Sequence, residues 1–364
     1  MSNWQKVKLG DILQVKKGDY ITKKEAREGI YPVILGGKEP AYFIDKYNHT
    51  GKAIVISRSG ASAGYVSFWN EPIFVTDGFL IEPNDNITYE FLFYVLKSKQ
   101  ALLHKSQKGA AIPHVTPFLI GDIDFFLPDP TTQQHIATIL SRYDSLIENY
   151  QKQIKLLEEA AQRLYKEWFV DLRFPGHETT KIVDGVPEGW ERRTLDSFCN
   201  VFTGKKNANQ GVTNGKYKFF TCSDTPLLIN SYIFDGPAII ISGNGSYTGR
   251  TTFYEGKFDL YQRTYACTIK EIEAQDLIYG LYEIVKCELT NQISGGTHGA
   301  AIPYIIMSDI TKFDFLFNES LMRSFSKKIR QLLSLSSFLS SQICLLTEAR
   351  DRLLPKLMSG EIAV

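Results

Sequence analysis

The sequence has few cysteines and no strong charge of either sign. Its five cysteines form no CxxC pair and an odd number cannot all pair, so we expect reduced, buried thiols rather than a disulfide scaffold or a clustered zinc site. Lys+Arg number 41 and Asp+Glu 40, a net charge of +1, so any basic surface must be local. With 43% hydrophobic and 22% charged residues in 364 positions, the composition indicates a folded protein of two or three domains.

Signals for membrane insertion and for common enzyme classes are also missing. The N-terminal MSNWQKVKLGDIL has no apolar stretch of signal-peptide length, and a long uncharged run late in the chain, 331–347, contains five serines and two glutamines. We therefore expect a cytoplasmic protein without a membrane segment. No G-x-x-x-x-G-K-[ST] loop or [ND]-P-P-[FY] motif occurs, and the six histidines have no metal-ligand spacing.

The chain contains two copies of one plan. Residues 109–113 and 299–303 both read GAAIP, an offset of 190. Upstream, GKAIVISRSGASAGYVSFW resembles GPAIIISGNGSYTGRTTFY at an offset of 185, and Trp4 corresponds to Trp190. Three matches in the same order indicate a duplicated domain with small insertions.

Each copy combines a globular part with a long helix. Short apolar runs at 53–56 and 238–241 predict buried strands, and helices are predicted near 89–104 and 276–290. After each globular part, apolar residues recur at alternating steps of four and three, the pattern of a coiled-coil seam. The seam positions are Ile136, Leu140, Tyr143, Ile147, Tyr150, Ile154, Leu157, Ala161, Leu164 and Trp168 in the first helix, and Phe325, Ile329, Leu332, Ser336, Leu339, Ile343, Leu346, Arg350, Leu353 and Leu357 in the second.

These patterns predict an α+β chain in which two tandem α/β domains are separated by two long antiparallel coiled-coil helices, with pseudo-two-fold symmetry. The predicted organisation is a first domain at 1–130, a first central helix at 131–170, a connecting segment at 171–189, a second domain at 190–318 and a second central helix at 319–360. A single chain of this form imitates a symmetric dimer, which suits duplex DNA as the ligand.

Cationic and amide side chains cluster in corresponding loops of the two copies. Lysines suit phosphates, whereas Asn, Gln and Arg read base edges. The glycine-rich segments keep their glycines and change their polar side chains, as expected of two readers of different half-sites. The predicted DNA-binding residues are Lys16, Lys17, Tyr20, Arg58, Ser59, Tyr65, Lys105, Lys108, Lys205, Lys206, Asn209, Asn244, Tyr247 and Arg250. For each cluster, an ordinary solvated loop is the alternative.

One constellation resembles a metal-dependent nuclease. Asp235 precedes Glu255 by 20 residues, and Lys257 follows in an E-x-K pattern. The equivalent places in the first copy are Thr50 and Asn70, which carry no carboxylate. We therefore predict no catalytic residues and no metal site, and keep the nuclease as a minor alternative.

Along nearly its whole length the chain closely resembles the specificity subunit of type I restriction–modification systems. The resemblance is carried by the duplicated plan, the opening at Trp4 and its counterpart VPEGWERRTLDSF, the GAAIP elements, the helix entry LPDPTTQQHIATILSRYDSLIENYQ and the ending RDRLLPKLMSGEI. At the helix entry, Gln133 replaces an acidic residue that is common in the family.

The resemblance implies two target recognition domains, each reading one half of a bipartite, asymmetric DNA site. It also implies that the helices act as a spacer and as the docking surface for two modification (methyltransferase) subunits, and that a restriction subunit joins the larger complex. The S-adenosylmethionine and ATP sites lie on these partners, so the resemblance implies no catalysis and no cofactor for this chain.

Helix length and helix charge lead to two further expectations. A helix over 131–169 would be roughly 58 Å long, which corresponds to about 17 base pairs. We predict that the partner-binding residues are Arg323, Lys327, Lys328 and Arg330, a stretch without acids. A non-catalytic protein–protein scaffold with two recognition domains is the rival function.

Overall fold

The computed structural model describes residues 4–22, 24, 26–35, 37, 39–105, 114–293 and 303–364, without the side chains of residues 105 and 293. The chain divides into two compact units. Unit 1 comprises Met1–Tyr150 and Ser341–Val364, and unit 2 comprises Gln151–Ser340. Each unit therefore combines one globular part with portions of both long helices.

Unit 1 is built on three small sheets. Its strands are β1 (Gln5–Lys8), β2 (Leu13–Lys17), β3 (Glu28–Ile34), β4 (Phe43–Ile44), β5 (Lys52–Ser57), β6 (Val66–Asn70), β7 (Phe74–Val75), β8 (Gly78–Pro83) and β9 (Asp124–Leu127). An antiparallel sheet has the order β2-β8-β5-β6, a second sheet has the order β4-β3-β7, and β1 pairs with β9. Predicted strand 53–56 lies within β5, which is buried along all but its first residue.

The helices of unit 1 close its core. They are α1 (Tyr89–Ser98), α2 (Gln100–Lys105), α3 (Pro117–Gly121) and the first part of α4 (Pro130–Tyr165). Phe91 and Leu92 of α1 share a buried cluster with Ile54 of β5 and Ile136 of α4. Leu357, near the C-terminal end of the chain, belongs to the same cluster and is fully buried. The first globular part and the segment around Leu357 thus belong to one hydrophobic core.

Gln133 explains the departure from the family pattern at the start of α4. Its side-chain amide donates to the carbonyl oxygens of Asn86 and Pro128, both at 3.0 Å, and its Oε1 accepts from the backbone N–H of Thr88 at 3.0 Å. The side chain is 1% exposed. A carboxylate there would face two carbonyl oxygens without a proton to donate, so glutamine satisfies this position better than an acid.

Unit 2 has a larger sheet. Its strands are β10 (Ile182–Val183), β11 (Val186–Pro187), β12 (Glu191–Thr194), β13 (Cys199–Thr203), β14 (Tyr217–Phe220), β15 (Leu227–Ile229), β16 (Phe234–Ser242), β17 (Thr251–Leu260), β18 (Thr264–Ile269) and β19 (Asp314–Phe317). Six of them form a sheet in the order β13-β18-β16-β17-β14-β15, and β12 pairs with β19 as β1 pairs with β9 in unit 1. The helices are α5 (Ile278–Ile293), α6 (Met307–Thr311) and α7 (Glu319–Met358).

Aromatic side chains join the central helices to the core of unit 2. After α4, a π-helical turn spans Lys166–Val170. Phe169 in this turn lies 4.9 Å, centroid to centroid, from Phe325 of α7 and 5.5 Å from Trp190. All three are buried.

The seam prediction agrees with the burial of the two long helices. No predicted seam side chain of α4 or α7 is exposed. In unit 1 the helices run antiparallel: Asp144 pairs with Arg350, whereas Ile136, eight residues earlier, shares a core cluster with Leu357, seven residues later. The mixture of sheets and helices in both units confirms the fold class α+β.

Among the described residues, α7 alone is long and apolar enough to cross a membrane, judged by length and composition. The serines of 331–347 therefore do not make α7 too polar to span a membrane, contrary to the expectation from the sequence. A single such helix is weak evidence for a span, and α7 contributes buried seam residues to both units.

The five cysteines are unpaired but not uniformly buried. Cys199 and Cys267 lie in the core of unit 2, and burial raises the pKa of the Cys199 thiol to about 12. Cys344 on α7 is exposed, so the expectation of buried thiols is wrong for this residue.

Candidate nucleic-acid interface

The two glycine-rich segments fold into the same turn. Gly60 and Gly64 in unit 1 have φ angles of 79° and 83°, and Gly245 and Gly249 in unit 2 both have φ of 82°. These left-handed conformations favour glycine, which explains why the four glycines are common to both copies.

Backbone hydrogen bonds in the two turns also match one for one. The N–H of Gly64 donates to the carbonyl of Ser57 and that of Gly249 donates to the carbonyl of Ser242, both at 2.8 Å. The main-chain N–H of Tyr65 reaches back three residues at 2.9 Å, and that of Arg250 does so at 3.0 Å. The scaffold is therefore shared, while the side chains that it presents differ.

Residues directly after the GAAIP elements pair with these turns. His114 forms an isolated antiparallel bridge with Ser59, and Tyr304 forms the equivalent bridge with Asn244. Neither His114 nor Tyr304 is among the DNA-binding residues predicted from the sequence. The signal that could have identified both was their fixed distance from GAAIP combined with a change of side chain between copies.

In unit 1 the predicted residues Arg58 and Ser59 share one carboxylate. Arg58 Nε donates to Asp77 Oδ1 at 2.8 Å, and the Ser59 hydroxyl donates to Asp77 Oδ2. The side chains of Arg58 and Asp77 are 34% and 26% exposed. Asp77 lies between β7 and β8, so the β5–β8 pairing brings it beside the turn.

In unit 2 the cation lies at the other end of the turn. Arg250 donates through Nη1 to the carboxylate of Asp224 and to its backbone carbonyl. The Arg250 guanidinium carbon lies 5.3 Å from the ring centroid of Tyr247, which is 42% exposed. The two copies thus offer different cation geometries on one backbone.

Predicted residues on the neighbouring loops have mixed surroundings. In unit 1, Lys16 of β2 pairs with Glu82 at 2.6 Å, Lys17 is exposed at the end of the same strand, and Tyr20 is 87% exposed. Tyr65 is half-buried, and the Lys97 ammonium lies 4.6 Å from its ring centroid. Burial raises the pKa of the Tyr65 hydroxyl.

Unit 2 separates its two adjacent lysines. Lys205 is exposed, whereas Lys206 Nζ lies 3.8 Å from a carboxylate oxygen of Asp259, which is 3% exposed. Lys206 is therefore the partner of a buried acid, and Lys205 and Asn209 are the exposed members of the predicted set in this loop. Lys108 and the side chain of Lys105 lie outside the described residues, as do residues 109–113 and 299–302.

The four predicted partner-binding cations on α7 also divide into two kinds. Arg323 pairs with Glu319 at 3.0 Å and with Asp276 at 2.8 Å. Arg330 lies 5.2 Å from the ring centroid of Tyr279. Lys327 and Lys328 are exposed.

Of the predicted nuclease residues, Asp235 on β16 lies directly opposite Lys257 on β17, and Glu255 lies two residues earlier on β17. Glu255 accepts a 3.4 Å hydrogen bond from the Tyr279 hydroxyl, and Lys257 Nζ lies 4.8 Å from the ring centroid of Tyr232. Within the described ranges, no group of three or more His, Cys, Asp and Glu side chains is placed to hold a metal ion.

Residues 60–64 read GASAG, the letter pattern of a hydrolase nucleophile elbow. That elbow joins a strand to a helix. Here the segment joins β5 to β6 within an antiparallel hairpin, so the required context is missing.

Comparison with known proteins agrees with the duplicated architecture. A family model described as the type I restriction modification DNA specificity domain matches residues 1–159 and 187–318. The type I restriction enzyme MjaIX specificity subunit of Methanocaldococcus jannaschii is 26% identical over 339 residues, which cover 86% of this chain and 78% of that protein. The EcoDI specificity subunit of Escherichia coli is 36% identical over 126 residues, covering 35% of this chain and 27% of that protein.

A solved structure has the same fold. The type I restriction–modification S subunit from M. genitalium matches with a TM-score of 0.68 at 20% identity, over 98% of this chain and 96% of that one. The family model covers most of the chain and both of its copies. The chain therefore belongs to the family of type I restriction–modification DNA specificity proteins.

Proposed function

We propose that this protein is the non-catalytic DNA-specificity subunit of a cytoplasmic type I restriction–modification enzyme. Each recognition domain reads one half of a bipartite, asymmetric site on duplex DNA. The observation that carries this proposal is the matched pair of turns, in which identical backbone geometry presents Arg58 and Ser59 in one copy but Gly243 and Asn244 in the other. Direct readout requires such differences, because each base pair shows its own donor and acceptor pattern in the major groove.

Methylation mapping tests this proposal. The chain is expressed with its modification subunits, and methylated positions are mapped across a genome by single-molecule sequencing. Two short half-sites with an unread gap are expected. Methylation without sequence preference, or at one continuous short site, would contradict the proposal.

A turn graft assigns each half-site to a domain. Residues 243–250 replace residues 58–65, which the shared hydrogen-bond pattern allows without a change of backbone. One half-site is expected to change while the other stays as in the parent chain. The reciprocal graft is the matched control and exchanges which half-site changes.

We also propose that the long helices set the gap between the half-sites. One heptad inserted into both α4 and α7 adds about 10 Å of helix, roughly three base pairs. The gap is expected to lengthen while both half-sites stay unchanged. Altered half-sites with an unchanged gap would refute this role.

We propose that Lys205 and Asn209 contact DNA in the second domain. Lys205→Met is expected to weaken binding to all sequences alike and to lower the salt dependence of the affinity by about one unit, as for one lost phosphate contact. Lys206→Met is the control variant, since its first effect is the loss of a partner for buried Asp259. Unchanged salt dependence and specificity in Lys205→Met would remove this residue from the interface.

We further propose that α7 docks two modification subunits, with restriction subunits joining the larger complex. Exposed Lys327 and Lys328 and the exposed apolar side chains Leu335, Phe338 and Leu345 support this, because a water-exposed apolar helix face favours a protein partner. Charge reversal of both lysines is expected to reduce co-purification with the modification subunit. Full recovery of the complex would assign them to a solvated face, and association of the isolated chain with lipid vesicles would favour a membrane for the apolar side chains.

A further inference from the structure

Arg58 and Arg250, the arginines of the two turns, use different guanidinium nitrogens for their hydrogen bonds within the protein. Its Nε donates to Asp77, and no second contact of its guanidinium exists within the described part of the chain. Nη1 and Nη2 thus have no protein acceptor there. Arg250, by contrast, donates a hydrogen bond from Nη1 to Asp224, and its guanidinium lies over the ring of Tyr247.

Both oxygens of the carboxylate that holds Arg58 accept a hydrogen bond. Asp77 Oδ1 accepts from Arg58 Nε, and Oδ2 accepts from the Ser59 hydroxyl. The main-chain N–H of Arg58 also donates to the Asp77 carbonyl at 3.2 Å. Asp77 is therefore a positioning residue, because two of these hydrogen bonds hold Arg58 and the third holds the neighbouring Ser59.

Two parallel N–H groups on a planar fork match one base above the others. Guanine presents the acceptors O6 and N7 side by side in the major groove, whereas adenine places a donor beside N7 and cytosine presents a donor. Because Asp77 is bound by Nε, the two terminal nitrogens of Arg58 remain available as such a fork. A lysine on a flexible stem would carry the charge without this geometry.

We propose that Arg58, oriented by Asp77 and Ser59, is a specificity-determining residue that reads one guanine in the half-site of the first recognition domain. This inference rests on the proposed DNA-specificity function and deepens it. The first half-site therefore contains a G·C pair at a position where no other base is accepted.

The test uses the full complex with modification subunits and compares wild type with Arg58→Lys, Arg58→Ala and Asp77→Asn. Methylation is mapped genome-wide, and binding is measured on duplexes that vary one base pair at a time. In Arg58→Lys and Arg58→Ala, discrimination at one G·C position of the first half-site is expected to fall by about 5- to 150-fold. The second half-site stays unchanged, and it reports that the variants still fold and assemble.

Asp77→Asn separates positioning from contact. It keeps the arginine and the volume of the side chain but weakens the charge-assisted bond to Nε. The same G·C position is expected to relax, by less than in Arg58→Ala, whereas a merely structural role would lower affinity for all sequences equally.

The outcomes distinguish this inference from the proposed function. A wild-type bipartite site whose first half lacks a G·C pair overturns the inference alone. So does a uniform loss of affinity in Arg58→Ala with a smaller salt dependence, which would make Arg58 a phosphate contact. A wild-type complex without any bipartite site would overturn the proposed function itself.

Discussion

Replacing Arg350 by methionine is expected to cost unit 1 about 2 kcal/mol of unfolding free energy. The guanidinium of Arg350 on α7 pairs with Asp144 of α4, and the second oxygen of Asp144 accepts a 2.6 Å hydrogen bond from the Tyr94 hydroxyl of α1. One carboxylate thus links the recognition domain to both long helices within unit 1. Burial, and then the bond to Asp144, raise the pKa of Tyr94, so it remains a donor throughout the accessible pH range.

The magnitude follows from the exposure of the pair. Arg350 and Asp144 side chains are 26% and 34% exposed. Removing one partner of a fully buried pair costs roughly 3–5 kcal/mol, and an exposed pair contributes about 0.2–1 kcal/mol. A pair about one-third exposed lies between these limits, which is the origin of the figure of about 2 kcal/mol.

The assay is urea denaturation of a double-mutant cycle with Arg350→Met, Asp144→Asn and the combined variant. A coupling energy of about 1–2 kcal/mol is expected, because residues in one ion-pair network are not additive. Arg352→Met is the matched control: Arg352 lies on the same helix, is 79% exposed and pairs only within α7 with Glu348, so its cost is expected below about 0.5 kcal/mol. Additivity of the cycle within about 0.3 kcal/mol would refute the reasoning.

Three further predictions concern the cores and the turns. Glu283 is fully buried, its Oε2 has no hydrogen-bond partner in the described chain, and burial raises its pKa above the ordinary value of 4.5. A carboxyl whose pKa is higher in the folded than in the unfolded state makes the protein less stable as the pH rises from the unfolded-state pKa through the folded-state pKa. Glu283→Gln should therefore match wild type near pH 4 and melt at a higher temperature at pH 8, and a pH-independent difference in melting temperature would contradict this. Gly64→Ala should lower the free energy of unfolding by roughly 3 kcal/mol in denaturant titrations, because its Cβ would lie 2.9 Å from the backbone of Leu103 and φ is 83°. In the control Gly60→Ala the new Cβ meets nothing within 4 Å, so the loss should be only about 1 kcal/mol, and equal losses would argue against the close approach at Gly64. Deleting residues 341–364 should abolish the cooperative unfolding transition of unit 1 and leave that of unit 2, as measured by hydrogen exchange, and uniform protection in the truncated chain would disprove the split core.

The architecture could be predicted from sequence because its signals are local. The spacing of apolar residues predicts the seam of α4 and α7. The glycines predict the turns, because both copies have a glycine where the backbone needs a positive φ angle. Those signals survive duplication, so comparing the chain with itself located both copies.

The partners of the site residues could not be predicted in the same way. Arg58 and Asp77 are 19 residues apart, and only the pairing of β5 with β8 brings them together. An isolated bridge between Lys206 and Tyr261 brings the Lys206 ammonium to Asp259, so two adjacent lysines that look equivalent in sequence have different surroundings. The pairing of His114 with Ser59 depends on tertiary register as well, and no local pattern encodes it.

The discontinuous core of unit 1 has a consequence for folding during synthesis. Unit 2 is one continuous stretch of chain, whereas Ile136 and Leu140 acquire their partner Leu357 only after residues 341–364 have been translated. The domain made first is therefore finished last, and the part of its core that Leu357 covers stays exposed on the ribosome until then. We therefore expect a chain that ends between unit 2 and Leu357 to fold its second unit and to leave part of the core of its first unit uncovered.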